Sequence, residues 1–378
     1  MFGARHPPFY TRSEYSYVPC RGMMSGSFPP YYFCYYILVM KEILKDSLGR
    51  PLNDLRVSVT DRCNFRCSYC MPHDRYEWIS RREVLTFEEI ARLSGLFAAL
   101  GVEEIRVTGG EPLLRHKLSE LVASLARIEG LKDLSLTTNA SFLHTYAAEL
   151  SRAGIQRINV SLDTINPRKF RAMTKRDDLA SVLQGLLTAK SMGIRPIKIN
   201  SVVQRGVNDE DILPMTEFAR QNGFWLRFIE YMDVGNTNRW VSKKMVSKKE
   251  ILERIDARYP LEEIGRGDPN APAVNYRFRD GGGNIGVIAS VTEPFCEGCT
   301  RGRLTADGRL VLCLFSDQSV DLKKLLRGDA KDDDIADVIR AAWLGRRDRY
   351  SEERLEAMNS GKYRPDSRRK IEMISIGG

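Results

Sequence analysis

With 378 residues, a formal net charge of +9, 43% hydrophobic and 28% charged residues, the chain has the make-up of a folded protein long enough for two domains or one large one. That composition excludes a collagen-like or low-complexity chain, and no internal repeat is visible. The basic excess fits either a nucleic-acid partner or a small polyanionic substrate such as a nucleotide, and charge alone does not choose between them.

Residues 1–39 are rich in Tyr, Phe and Pro and show little helical or strand periodicity. Their apolar run, Tyr31 to Met40, is about ten residues, too short to span a bilayer. Lys41-Glu42-Ile43 follows it in place of a small-residue cleavage site. This stretch is expected to be a disordered or misannotated extension, with Met40 as the start of the folded protein.

From Leu55 onward, short β-rich runs alternate with amphipathic stretches. Strands are predicted at Leu55–Thr60, Glu104–Thr108, Asp133–Thr137, Arg157–Ser161, Pro196–Val202 and Trp225–Glu230. Helices are predicted at Thr86–Leu100, His116–Ile128, Ser141–Ala153, Leu179–Met192 and Asp209–Asn222. Gly101, Gly154, Gly193 and Gly223 stand where helix-ending glycines belong. The alternation predicts parallel β/α architecture, as a doubly wound sheet or as a partial barrel. Polar residues close nearly every strand, among them Thr108-Gly109-Gly110-Glu111, Thr137-Thr138-Asn139 and Ser161-Leu162-Asp163. Parallel folds gather ligands at those ends, and a ring of such residues favours the curved sheet, a partial (βα)6 TIM-type barrel. After Gly235 the pattern changes. A basic helix is predicted within Lys243–Arg258, then a hairpin of Asn275–Arg279 and Asn284–Ala289 around Gly281-Gly282-Gly283, then charged helices. The expected domains are therefore residues 40–235, the barrel, and 236–378, a smaller α+β domain.

Six of the eight cysteines fall in two tight groups: Cys63, Cys67 and Cys70 in C-x3-C-x2-C spacing, and Cys296, Cys299 and Cys313. Nothing else suggests secretion, so the groups read as metal spacing in a reducing, cytoplasmic compartment rather than as a disulfide framework. A structural zinc wants four protein ligands. Three cysteines on a cubane iron–sulfur cluster leave one iron open to a ligand that is not protein. Accidental clustering and a three-legged zinc are the bland alternatives. Arg56, Arg106 and Lys198 lie in predicted strands, where charge is costly unless it is paired or faces a polar cavity. Arg301 and Arg303, one residue apart, point to one face of a strand, either into a site or out from a sheet edge.

Asp61-Arg62-Cys63-Asn64-Phe65-Arg66-Cys67-Ser68-Tyr69-Cys70-Met71-Pro72 and Thr108-Gly109-Gly110-Glu111-Pro112 resemble the cluster loop and glycine motif of the radical SAM (S-adenosylmethionine) superfamily. The likeness runs from about Leu48 to Gly378 and, through the second triad, is closest to the radical SAM cyclases that open molybdenum cofactor biosynthesis. The resemblance implies two 4Fe–4S clusters, the second an auxiliary one whose open iron takes a guanine base. It implies S-adenosylmethionine contacts at Tyr69, Gly110, Ser161 and Met232. It implies GTP contacts at Arg56, Arg106, Thr137, Lys198, Arg301, Gly302 and Arg303. The implied reaction is a 5′-deoxyadenosyl-radical cyclisation of GTP to (8S)-3′,8-cyclo-7,8-dihydroguanosine 5′-triphosphate. On residues alone Thr137 and Ser161 read as strand-end caps, and Met232 as core. An electron donor such as flavodoxin and a homodimer are expected; nucleic acid and membrane are not. Peptide-modifying members of the superfamily usually carry more C-terminal cysteines than three. The resemblance also implies that the terminal Gly377-Gly378 reaches into the site. Ala140 stands where glycine is usual, and alanine takes positive φ poorly.

Overall fold

Six parallel strands in sequence order form the centre of the sheet: β1 (Asp54–Ser58), β2 (Glu104–Thr108), β3 (Asp133–Thr138), β4 (Arg157–Ser161), β5 (Ile197–Val203) and β6 (Trp225–Glu230). The computed structural model describes residues 43–364 and 369–377; the extension expected over residues 1–39, and Met40, expected as the start of the folded protein, lie outside them. Between the strands run α1 (Phe87–Ala99), α2 (Leu118–Leu125), α3 (Leu143–Ala153), α4 (Pro167–Thr174), α5 (Leu179–Ser191) and α6 (Ile212–Asn222). Helix α4 is absent from the sequence reading, although its start signal is there. Asn166 Oδ1 accepts from the backbone N–H groups of Arg168 and Lys169, and Pro167 takes the first turn.

Alternation sorts each strand into two faces. Leu55, Val57, Ile105, Val107, Leu136, Ile158, Val160, Ile199 and Leu226 are fully enclosed on the helix side. There they meet Leu93 and Phe97 of α1 and Leu121 and Leu125 of α2 in one continuous core, each such side chain contributing about 1.5–3 kcal/mol by burial. The opposite face carries Asp54, Arg56, Glu104, Arg106, Asp133, Arg157, Lys198 and Arg227.

The later chain contributes α7 (Lys248–Asp256), β7 (Leu261–Gly265), β8 (Val274–Phe278), β9 (Asn284–Ile288), β10 (Arg301–Leu304), β11 (Arg309–Val311) and β12 (Val320–Asp321). Helix α7 is shorter than the predicted basic stretch because Ser247 and Glu250 form a capping box at its start. The predicted hairpin is β8–β9. The order across the sheet is β12-β11-β10-β1-β2-β3-β4-β5-β6-β9-β8-β7. Strand β10 adds parallel to β1, and β9 adds parallel to β6. The partial barrel thus gains an α+β flank on both edges from the same later segment, and the boundary expected at 235/236 falls within one sheet. Leu44–Gly378 make one compact unit. No described helix is long and apolar enough to cross a membrane.

Ala140, fully buried after β3, does take a positive φ of 63°. It is held there by its N–H donating to Thr138 Oγ1 at 2.9 Å, at a cost of roughly 1–2 kcal/mol for a residue with a Cβ.

Candidate active site

The inner face of the sheet lines a cavity of about 530 Å³. Register stacks its charges in rows. Asp54 lies beside Glu104 and Arg301, Arg56 beside Arg106 and Arg303, and Lys198 beside Trp225. Arg157 is paired with Asp133 and Glu104. Asp54 faces Arg56, Arg106, Arg301 and Arg303, the last two of which the Cys299 sulfur also faces; Asp133 faces Lys198, and Arg227 is set beside Arg106 and Arg157. Burial, then Arg303 and Arg106, holds the Arg56 guanidinium well below its usual range. Burial, then Arg227, Arg157 and Arg106, brings Lys198 to about 7, its ammonium 5.1 Å from the Trp225 ring centroid. Among the described residues, Nε of Arg56, Nε of Arg227, Oδ1 of Asn200 and both amide atoms of Asn159 are buried without a hydrogen-bond partner. Buried polar groups are rarely left so. This lumen is built for a polyanion with further polar groups.

At the carboxyl end of the strands lies the first cysteine loop. Gly109 and Gly110 let it approach. A Cβ on Gly110 would sit 2.3 Å from the Arg62 carbonyl oxygen, and one on Gly109 2.4 Å from that of Thr60. Instead Gly110 N–H donates to Thr60 at 2.8 Å and Glu111 N–H to Arg62 at 2.7 Å. The tight turn expected to approach a ligand approaches the chain itself, fixing the loop that carries Cys63. Glu111, pushed up to about 7 by burial, accepts from Thr138 Oγ1 at 2.7 Å and from the N–H groups of Leu113 and Asn139. Tyr69 donates its hydroxyl to Asp163 at 2.7 Å, and Asp163 also accepts from Val202 N–H at 2.8 Å.

Burial raises the thiols of Cys63, Cys67 and Cys70, and within the triad Cys63 and Cys70 raise Cys67, and Cys63 raises Cys70. The three sulfurs are near enough to repel as thiolates, a donor set suited to an iron–sulfur cluster. The second triad lines the cavity. There Cys299 falls to about 6, because Arg301 and Arg346 together outweigh its burial; Cys313 is pushed up to about 12 by burial, then Asp348. Among the described residues no group of three or more His, Cys, Asp and Glu side chains stands in the arrangement of a metal-ion site; what the two triads offer is a set of three thiols each, the donor type of iron–sulfur clusters.

The C-terminal residues return to this place. Gly377 offers its carbonyl to Arg303 Nη1 at 3.1 Å, and a Cβ on it would sit 2.3 Å from the Thr108 side chain. Gly378 lies outside the described residues. Asp233, just after Met232, accepts from Arg354, from Lys370 at 2.7 Å and from Tyr363 at 2.6 Å. Glu372 accepts from Asn236. This end of the chain is clasped beside the cavity.

The chain matches the Radical SAM superfamily family model over residues 57–219 and the Molybdenum Cofactor Synthesis C model over 224–352. It is 46% identical to the GTP 3′,8-cyclase of Acidothermus cellulolyticus, over 90% of this chain and 100% of that one. The chain belongs to the GTP 3′,8-cyclase family. The GTP 3′,8-cyclase of Staphylococcus epidermidis is 43% identical over the same shares. Among solved structures, Streptococcus suis SuiB bound to S-adenosylmethionine is similar at TM-score 0.56 and 15% identity, over 77% of this chain and 68% of that one, which bears on the fold.

Of the residues singled out in the sequence for this family's ligands, Arg56, Tyr69, Arg106, Lys198, Met232, Cys296, Cys299, Arg301, Arg303 and Cys313 all line the cavity. Thr137 and Ser161 share the inner face of β3 and β4 by alternation, one row nearer the strand ends. Gly110 lies at the cysteine loop. Gly302 faces away: a Cβ there would point at Leu52, Leu55 and Leu310 in the core, so only its backbone is on offer to a ligand. Sequence reasoning missed Arg227, Asn159 and Asn200, although Trp225-Leu226-Arg227-Phe228 carries the same signal as Arg106, a charge inside an apolar strand. It also missed Arg50 and Arg346, which no local pattern marks.

Proposed function

We propose that this chain cyclises GTP to (8S)-3′,8-cyclo-7,8-dihydroguanosine 5′-triphosphate, the first step of molybdenum cofactor biosynthesis, as a radical SAM lyase. Its cofactors are S-adenosylmethionine and two 4Fe–4S clusters. The observation that carries the reading is the cation-rich lumen with unpartnered buried donors, bounded by Tyr69 of the first triad's loop on one side and by the second triad on another.

Cys63, Cys67 and Cys70 would hold a cluster that would supply the one-electron reductive chemistry acting on S-adenosylmethionine, and Cys296, Cys299 and Cys313 would hold a second that would supply a Lewis-acid contact to the guanine base. The chain's own part is binding, orientation and exclusion of water. In this reading Arg56, Arg106, Lys198, Arg301 and Arg303 clamp the triphosphate, with guanidinium forks matching phosphate oxygens. Thr137 adds a hydroxyl and Gly302 its backbone. Tyr69, Gly110, Ser161 and Met232 line the S-adenosylmethionine end, toward which the ribose of GTP would turn its C3′–H. Lys198, poised near neutrality in the free enzyme, takes up a proton as the triphosphate arrives.

The reading carries an electron donor such as flavodoxin, a cytoplasmic setting without nucleic acid or membrane partners, and a homodimer; sedimentation of the reconstituted enzyme as a monomer would remove the dimer. The decisive experiment incubates reduced, reconstituted protein with S-adenosylmethionine and GTP. 5′-Deoxyadenosine should form with GTP dependence alongside the cyclised nucleotide. Formation independent of GTP, with no cyclised product, sinks the assignment.

A further inference from the structure

Arg346, two residues beyond the helix Asp332–Leu344, has a side chain only 1% exposed. Its Nη1 donates to the Cys299 carbonyl at 2.7 Å and its Nη2 lies 3.1 Å from Cys299 Sγ. One planar fork thus holds both the backbone and the sulfur of a single cysteine. The guanidinium rests 4.6 Å from the Trp343 ring centroid, and Trp343 Nε1 donates to the Arg50 carbonyl at 3.0 Å. Arg50 in turn donates to the Cys296 carbonyl at 2.9 Å. Asp46 pairs with both arginines, at 2.6 Å from Arg50 Nε and 3.4 Å from Arg346 Nη1.

Arg50 and Arg346 stand against Asp46 and Asp348, the latter 3.6 Å from Arg346 Nε, and Arg301, beside Asp54, adds its charge at the Cys299 sulfur. A buried cation is tolerated where a counter-charge faces it, and the nearest group able to supply one is the Cys299 sulfur. The carbonyl of Cys299, the two carboxylates and the Trp343 ring hold the guanidinium in place, and its remaining terminal donor is aimed at the Cys299 sulfur, which accepts such a bond well as a thiolate held by iron.

We propose that Arg346 is the tuning residue of the auxiliary cluster: its N–H···S bond to Cys299 and its enclosed positive charge stabilise the more negative, reduced state and raise the reduction potential. The inference rests on the reading of Cys296, Cys299 and Cys313 as cluster ligands. Hydrogen bonds to ligand sulfurs and local net charge are the protein's means of setting such potentials. Arg301 shares the charge and also reaches the Cys299 sulfur; Arg346 adds a fork that holds the sulfur and the backbone of the same cysteine together.

The test uses the full chain with Cys63, Cys67 and Cys70 changed to Ala, so that any iron belongs to the second triad. Iron and sulfide analysis and an EPR-monitored redox titration are compared for this parent, Arg346→Lys and Arg346→Met. The parent should hold about four irons per chain. Arg346→Met, with about the same iron, should lose roughly tenfold in the one-electron reduction equilibrium, a drop of about 59 mV. Arg346→Lys keeps the charge, loses the fork and should fall between. Equal potentials in all three at full iron content overturn the role of Arg346. A parent that binds no iron overturns the reading of the triad instead. Should the Met variant shed its iron, the Lys variant decides alone, by lying below the parent or level with it.

Discussion

The two cysteine triads share a residue type and a count but differ in surroundings. Around Cys63, Cys67 and Cys70, burial raises every thiol, and the carboxylates add to it: Glu111 on Cys63, Asp163 on Cys67, Glu372 on Cys70. In the second triad burial likewise raises Cys296 and Cys313, but at Cys299 it is outweighed by Arg301 and Arg346, and that thiol sits near 6. In the proposed reading the first loop's negative charge would be met by iron and by the sulfonium cation of S-adenosylmethionine, while at Cys299 the counter-charge is carried by the protein, close to the arginines that would receive an anionic substrate.

The sharpest way to break that comparison is to remove one sulfur from each end. Cys70→Ala should abolish 5′-deoxyadenosine formation outright. Cys299→Ala should abolish the cyclised nucleotide while leaving slow S-adenosylmethionine cleavage, both followed by chromatography. If both variants lose both products alike, the two ends do not have separate tasks.

Next in size is the clasp at Asp233. Asp233→Ala strands Arg354 and Lys370 in a buried site and should lower stability by about 3–5 kcal/mol, read from urea unfolding. The Asp233 carboxyl is held below the usual range because Arg354 and Lys370 outweigh its burial. Its stabilisation is therefore present above the unfolded carboxylate pKa of about 4 and drains away as pH falls below it. The variant should show a correspondingly flatter loss of stability on acidification.

Arg303→Ala should weaken GTP binding roughly 10- to 100-fold, the worth of one charge-assisted hydrogen bond of about 1.5–3 kcal/mol, with S-adenosylmethionine affinity unchanged by calorimetry. An equal loss for both ligands would erase the division between the ends.

A smaller effect is expected at Lys198. Its folded pKa of about 7 lies below the ordinary lysine value of 10.5, so the free enzyme binds fewer protons than the unfolded chain between those limits and gains stability as pH rises through them. GTP, which needs the charged form, should bind less tightly as pH rises past about 7. Lys198→Arg, charged throughout, should flatten that profile. The smallest shift is at Ala140→Gly. Relief of about 1–2 kcal/mol of left-handed strain is set against about 0.8 kcal/mol for the buried methyl, and the melting transition should rise slightly.

Strand positions were legible because alternation is local: Leu55 and Val57 against Asp54 and Arg56 already state which face is core. Asn166-Pro167 announced α4 as plainly, but eight residues with two buried apolar side chains near their end, Phe170 and Met173, give too weak a period to be seen. Gly302 read as a ligand contact because it stands between Arg301 and Arg303; alternation turns it to the core, and only the pairing of β10 with β1 says which face is which.

The sequence by itself determined the chemistry available here, since the spacing of Cys63, Cys67 and Cys70 and the charges inside strands are properties of a few neighbouring residues. Only the tertiary structure decided how that chemistry is arranged. Strands β9 and β10 join opposite edges of one sheet, Arg346 meets Cys299, and Gly377 meets Arg303, all through contacts between residues far apart in the chain. Such contacts are fixed by which faces must be buried together, and no local pattern records that.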